Sequence, residues 1–60
     1  MEYYLYYNEI SDNFFIVGAP SYNECKEILK EHDFRQENLQ LLDDNLKKSS
    51  IELLNYPIYY

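Results

Sequence analysis

Few side chains in this sequence are suited to chemistry: one cysteine, Cys25, and one histidine, His32. On a helix they would share one face, about two turns apart. A thiolate nucleophile with an imidazole base also needs a group to orient the base and a donor for the oxyanion. No residue stands out for either role. Cys25 as a small buried hydrophobe explains its presence without catalysis. His32 near a helix C-terminus is favoured there by the macrodipole when charged. One cysteine and one histidine are too few for a four-ligand zinc site. Asp43-Asp44-Asn45 lacks the alternating acids, central glycine and terminal glutamate of a calcium loop. These acids read better as helical ion pairs, Asp43 with Lys47 and Asp44 with Lys48. Glu24, Glu27 and Glu31 read as a solvated helix face. The single glycine, Gly18, makes no loop that could cradle a phosphate. The expectation is a protein with no catalytic residue, no cofactor and no metal.

Function should then run through surface contact, and the aromatic residues are the natural anchors. Eight tyrosines and three phenylalanines stand among the sixty residues. Residues 2–8 (EYYLYYN) and 14–18 (FFIVG) read as strands, and the Ser11-Asp12-Asn13 cluster between them as a turn. Strand alternation sends Tyr3, Leu5 and Tyr7 one way and Tyr4 and Tyr6 the other. Phe14 and Ile16 oppose Phe15 and Val17 in the same manner. Such a hairpin is apolar on both faces. One face can pack on helices; the other needs a cover, either the C-terminal tail or another protein chain. The residues expected at a partner or dimer interface are Tyr4, Tyr6, Phe15, Tyr56, Tyr59 and Tyr60. Glu27 and Glu31 are expected to steer a basic partner.

The elements that must position these residues follow from periodicity. Ser21 and Glu24 have the spacing of a helix capping box. Tyr22, Cys25, Leu29 and His32 then form one stripe, with Ile28 beside it. Asn23, Lys26, Glu27, Lys30 and Glu31 make its wet side. Asp33 with Gln36 resembles a second cap, and Leu39, Leu42 and Leu46 recur at helical spacing. The pattern predicts a helix over about residues 36–48, interrupted at Ser49-Ser50. The tail 51–60 (IELLNYPIYY) fits two descriptions. Leu54, Tyr56, Ile58 and Tyr60 alternate as an edge strand carrying Pro57 would. Alternatively Leu46, Ser50 and Leu53 continue the helix to about Leu54. The fold class is α+β, one domain over residues 1–60: an N-terminal antiparallel β-hairpin packed on one or two helices, with a C-terminal strand or clasp.

Composition narrows the partners. A chain of this length buries only about 60% of its unfolded surface, so its stability is marginal. One cysteine forms no intrachain disulfide. A core shared between copies would compensate, and a homodimer is expected. The formal net charge is −6, from eleven acids and five bases. That balance repels phosphate backbones and anionic membranes, so neither direct nucleic-acid binding nor membrane binding is expected. Acids on a rigid surface can imitate a phosphate array for a basic groove; ordinary solubilising charge is the other reading, since Lys26, Lys30, Lys47 and Lys48 interrupt the acids and leave no continuous ladder. Met1-Glu2-Tyr3-Tyr4 has neither the basic nor the apolar region of a secretory signal. No apolar run approaches the ~20 residues of a membrane span. With a free cysteine, these features point to the reducing cytoplasm.

In size, acidity, tyrosine content and lack of catalytic motifs the chain resembles the general type of small phage-encoded proteins that inhibit host or defence enzymes. The resemblance is one of type and assigns no residue a role. It implies stoichiometric inhibition of an enzyme that handles nucleic acid. A self-assembling structural or regulatory subunit is the alternative, and a small ligand-binding domain or enzyme the second alternative.

Overall fold

Seven short elements make up the computed structural model, which describes residues 1–60. They are strand β1 (Glu2–Asn8), strand β2 (Asn13–Ala19), helix α1 (Tyr22–Glu31), one turn of 3-10 helix (Gln36–Asn38), strand β3 (Leu39–Asp43), helix α2 (Lys48–Leu54) and strand β4 (Ile58–Tyr59). The strands form one sheet in the order β3-β1-β2-β4. β1 runs antiparallel to both β2 and β3, and β4 runs parallel to β2. The fold is α+β, with the expected N-terminal hairpin and a C-terminal strand.

The hairpin pairs without a slip from Glu2↔Ala19 to Asn8↔Asn13. Its turn is held by local polar contacts. The Asn8 side-chain carbonyl accepts from the Ile10 N–H at 3.0 Å, and Asp12 adopts a left-handed φ of 55°, which aspartate tolerates better than most residues. Alternation then sorts the side chains. Tyr4, Tyr6, Phe15, Val17 and Ala19 share one face and bury Cys25 and Leu29 of α1. On the opposite face Ile16 packs with Leu46 and Ile51, flanked by Tyr3, Leu5, Leu54, Tyr56 and Ile58. The sheet is therefore covered on both faces within one chain, by α1 on one side and α2 on the other. The tail does cover the second face, as one of the two sequence-based alternatives had it: Ile51 and Leu54 of α2, with Tyr56 and Ile58, all lie within residues 51–60 and pack there beside Leu46.

The helix expected over residues 36–48 does not form. Leu39–Asp43 is a strand at the sheet edge, with Leu39 opposite Asn8 and Leu41 opposite Tyr6. Leucine and glutamine favour helix in isolation, but pairing with the open edge of β1 overrides that weak preference. The ion pairs of Asp43 with Lys47 and Asp44 with Lys48 are accordingly absent. Asp43 instead accepts from the Asn45 N–H at 2.9 Å, a side-chain turn that ends the strand. The tail is helical to Leu54, but as part of a separate short helix, Lys48–Leu54, that runs through Ser49-Ser50 and continues no earlier helix; Ile58–Tyr59 is a strand.

Both helices end in left-handed residues. The Asp33 N–H donates to the Lys30 carbonyl at 3.0 Å and the Phe34 N–H to the Leu29 carbonyl at 2.9 Å, with Asp33 at φ 61°. This is a Schellman ending, and Phe34 supplies its apolar contact against the core that holds Leu29. Asp33 thus stops α1 instead of capping a second helix. Asn55, at φ 55°, stops α2 in a similar way. At the start of α1 the Ser21 hydroxyl accepts from the Glu24 N–H at 3.4 Å and donates to the Glu24 carboxylate at 3.1 Å. Ser21 caps the helix, but the carboxylate meets the hydroxyl and not the Ser21 N–H.

Candidate partner-binding surface

The residues singled out for chemistry lie apart. Cys25 is fully buried and its Sγ lies 3.5 Å from the Tyr6 hydroxyl. Burial pushes its thiol above the ordinary value, which disfavours the thiolate a nucleophile needs. His32 sits at the exposed end of α1, its ring 4.7 Å from that of Tyr59. No three of the His, Cys, Asp and Glu side chains converge as metal ligands.

The expected interface residues divide. Tyr4, Tyr6 and Phe15 are 2%, 4% and 3% exposed, so the expectation that Tyr4 or Tyr6 anchors a partner at the surface is corrected. They form the floor beneath α1. Tyr4 is buried, and its hydroxyl donates to the Glu2 carboxylate. That hydrogen bond, with burial and the negative charge beside it, pushes the phenol up to about 12. Burial, then the bond with Cys25, raises Tyr6 further. Of the tail, Tyr56 is half-buried against Phe14, and Tyr59 is half-buried against Phe15 and Phe34. Tyr60 is exposed, its ring lying over Gly18. Glu27 and Glu31 stand on the outer side of α1, and Glu27 lies 3.7 Å from Lys30.

The surface that does combine open backbone, apolar side chains and charge is the β3 edge. β3 has a strand on one side only. Antiparallel pairing alternates, and the Glu9 N–H donates to the Asn38 carbonyl at 2.9 Å. The main-chain groups of Leu39 and Leu41 therefore face away from β1. α1 packs mainly over β2 and leaves a groove between itself and β3. Tyr6, Leu29 and Leu39 line it, with Tyr22 and Leu41 at its mouth. Tyr22, Leu41 and Leu42 are 43%, 38% and 43% exposed. Acids rim this stretch: Glu2 and Asp44 beside Tyr22 and Leu41, and Asp43 next to Leu42. No base lines it, although the Lys26 ammonium lies over the Tyr22 ring, 4.9 Å from its centre. Sequence reasoning missed this surface because it placed residues 36–48 in a helix. The one available signal was the Leu39–Gln40–Leu41 alternation.

Compared with protein families, with curated proteins and with solved structures, the chain matches none. No helix is long and apolar enough to cross a membrane.

Proposed function

We propose that this chain is a non-catalytic binding module that acts by one-to-one contact with a protein bearing a basic surface. The observation that carries the reading is the open β3 edge, whose exposed leucines and Tyr22 lie within a rim of acids. An extended segment of the partner adds beside β3, main chain to main chain, while its apolar side chains enter the groove against α1. The rim of Glu2, Asp43 and Asp44 speeds encounter and selects for positive charge. Enzymes that handle nucleic acid carry basic grooves, and an acid-rimmed plug seated in one blocks it by occupancy. A second copy fits the edge less well, because each copy brings a net charge of −6 and the only base near the rim is Lys26, which lies over the Tyr22 ring.

The test compares wild type with Leu41→Arg in capture from the cell that makes the chain, followed by hydrogen exchange on the purified complex. The expected result is a partner retained at one-to-one stoichiometry, released by ~0.5 M salt as screening shortens to a few ångströms, and lost from the variant. Leu39 and Leu41 amides should gain protection in the complex. Protection confined to other elements, or turnover of many target molecules by one chain, refutes the proposal.

A further inference from the structure

A second concavity lies at the opposite edge of the sheet, where β2 outruns its neighbour. β4 pairs only at Ile16↔Ile58 and Val17↔Tyr59, and the Ile16 N–H donates to the Pro57 carbonyl at 2.8 Å. The outward main-chain groups of β2 are thus those of Phe14, Ile16 and Gly18. In a continued parallel ladder the Phe14 carbonyl would accept from the N–H of residue 57. Proline has no N–H, so the ladder stops there. Beyond the stop is a cleft of about 450 Å³.

Its apolar walls are Phe14, Phe34, Tyr56 and Tyr59 over a floor of Phe15. These rings hold one another in place. Phe14 stacks on Tyr56 at 5.3 Å between centres, Phe15 on Phe34 at 4.5 Å, and Tyr59 meets Phe34 edge-on at 5.3 Å. The polar side is formed by the hairpin turn, with Asn8, Asp12 and Asn13. One Asp12 oxygen accepts from the Tyr7 hydroxyl, which leaves the other free. No lysine or arginine lines the cleft. The adjacent Arg35 reaches instead toward Glu37, 4.0 Å away.

We propose that this cleft receives the guanidinium of an arginine side chain presented by a partner protein. Aromatic faces attract a cation, and the planar, weakly hydrated guanidinium stacks on them better than an ammonium does. The acceptors at the rim (the Asp12 carboxylate, the Asn13 side-chain carbonyl and the Phe14 main-chain carbonyl) match a group that only donates. An anion would meet Asp12 with no base to offset it. A neutral apolar ligand would desolvate that carboxylate without a partner. The site rests on the β2 edge alone, and its test is independent of the β3 surface.

The experiment is an NMR titration with the capped tripeptide acetyl-Gly-Arg-Gly-amide and its lysine and citrulline analogues. The expected result is saturable binding in the millimolar range, with amide shifts at Asp12–Phe15 and Tyr56–Tyr59. The lysine analogue should bind several-fold more weakly and neutral citrulline about tenfold more weakly. Asp12→Asn should weaken the arginine peptide about tenfold while leaving the melting temperature unchanged, since asparagine also tolerates the left-handed backbone at that position. Phe14→Ala, at a ring that is partly exposed, should weaken it comparably. No saturable shift up to ~20 mM peptide, equal affinity for citrulline, or shifts confined to β3 and α1 overturns the proposal.

Discussion

Ile51 is the only buried residue of α2, at 9% exposure, and it joins Leu46 against Ile16 on the second face of the sheet. Ile51→Ala removes three carbons. At about 0.8 kcal/mol per buried carbon the transfer loss is about 2.4 kcal/mol. A residual cavity adds to it, which brings the expected cost to about 3 kcal/mol. A sixty-residue domain has only roughly 3–9 kcal/mol of total stability, so one substitution in a seven-residue helix should remove a third or more of the margin. Urea unfolding followed by circular dichroism and by tyrosine fluorescence measures it; with eight tyrosines and no tryptophan, the emission is simple to assign. The midpoint should fall steeply. Leu53→Ala, two residues on but 86% exposed, should change stability by less than ~0.5 kcal/mol. A loss below ~1 kcal/mol for Ile51→Ala would refute the conclusion that α2 covers the sheet, and would return the second face to Tyr56 and Ile58 or to a partner chain.

Ser21→Ala should cost about 0.5–1 kcal/mol, toward the lower half of the range for lost caps because the bond to the Glu24 N–H is long at 3.4 Å; an unchanged thermal midpoint would show that the hydroxyl contributes nothing. The raised phenols predict alkaline sensitivity. The Tyr4 phenol is lifted from 10.0 to about 12 in the folded chain, so its contribution is complete below about pH 10 and is lost as pH rises toward 12. Tyr6, raised above Tyr4, extends the loss to still higher pH. Urea midpoints should therefore fall between pH 10 and 12, in step with tyrosinate absorbance, and Tyr4→Phe should flatten that fall.

The parts of the fold legible in the sequence are those where one local period dominates. β1 and β2 are aromatic and β-branched runs separated by a turn cluster, and α1 carries a capping serine and an apolar stripe, so each emerges close to its true bounds. β3 does not, because Leu39, Leu42 and Leu46 coincide with helical spacing and outweigh the short Leu39–Gln40–Leu41 alternation. What makes Leu39–Asp43 extended is the unpaired side of β1, a long-range cause. The pairing is also irregular, with a bulge near Leu5 and Tyr6 that shifts Asp43 opposite Leu5 and breaks the period a reader would need. Alternation has a second limit. It tells which residues share a face, and not which layer that face meets. Alternation separates Tyr4 and Tyr6 from Tyr3, Leu5 and Tyr7, and Phe15 and Val17 from Phe14 and Ile16, but that Tyr4, Tyr6, Phe15 and Val17 share the face α1 occupies comes from the structure.

Pro57 shows how a single residue joins fold and site. In the sequence it marks an edge strand, and β4 is one. Its missing N–H also ends that strand's pairing on the side toward the hairpin turn, which leaves the last part of β2 without a neighbour. The space so opened is walled by rings from residues far apart in the chain. Phe34 is placed by the Schellman ending of α1 and Tyr56 by the left-handed stop at Asn55. No periodicity within any one segment relates Phe14, Phe34 and Tyr56. Their convergence follows only once α1 is laid on one face of β2 and α2 on the other, so that both helix endings deliver an aromatic residue to the same end of the sheet.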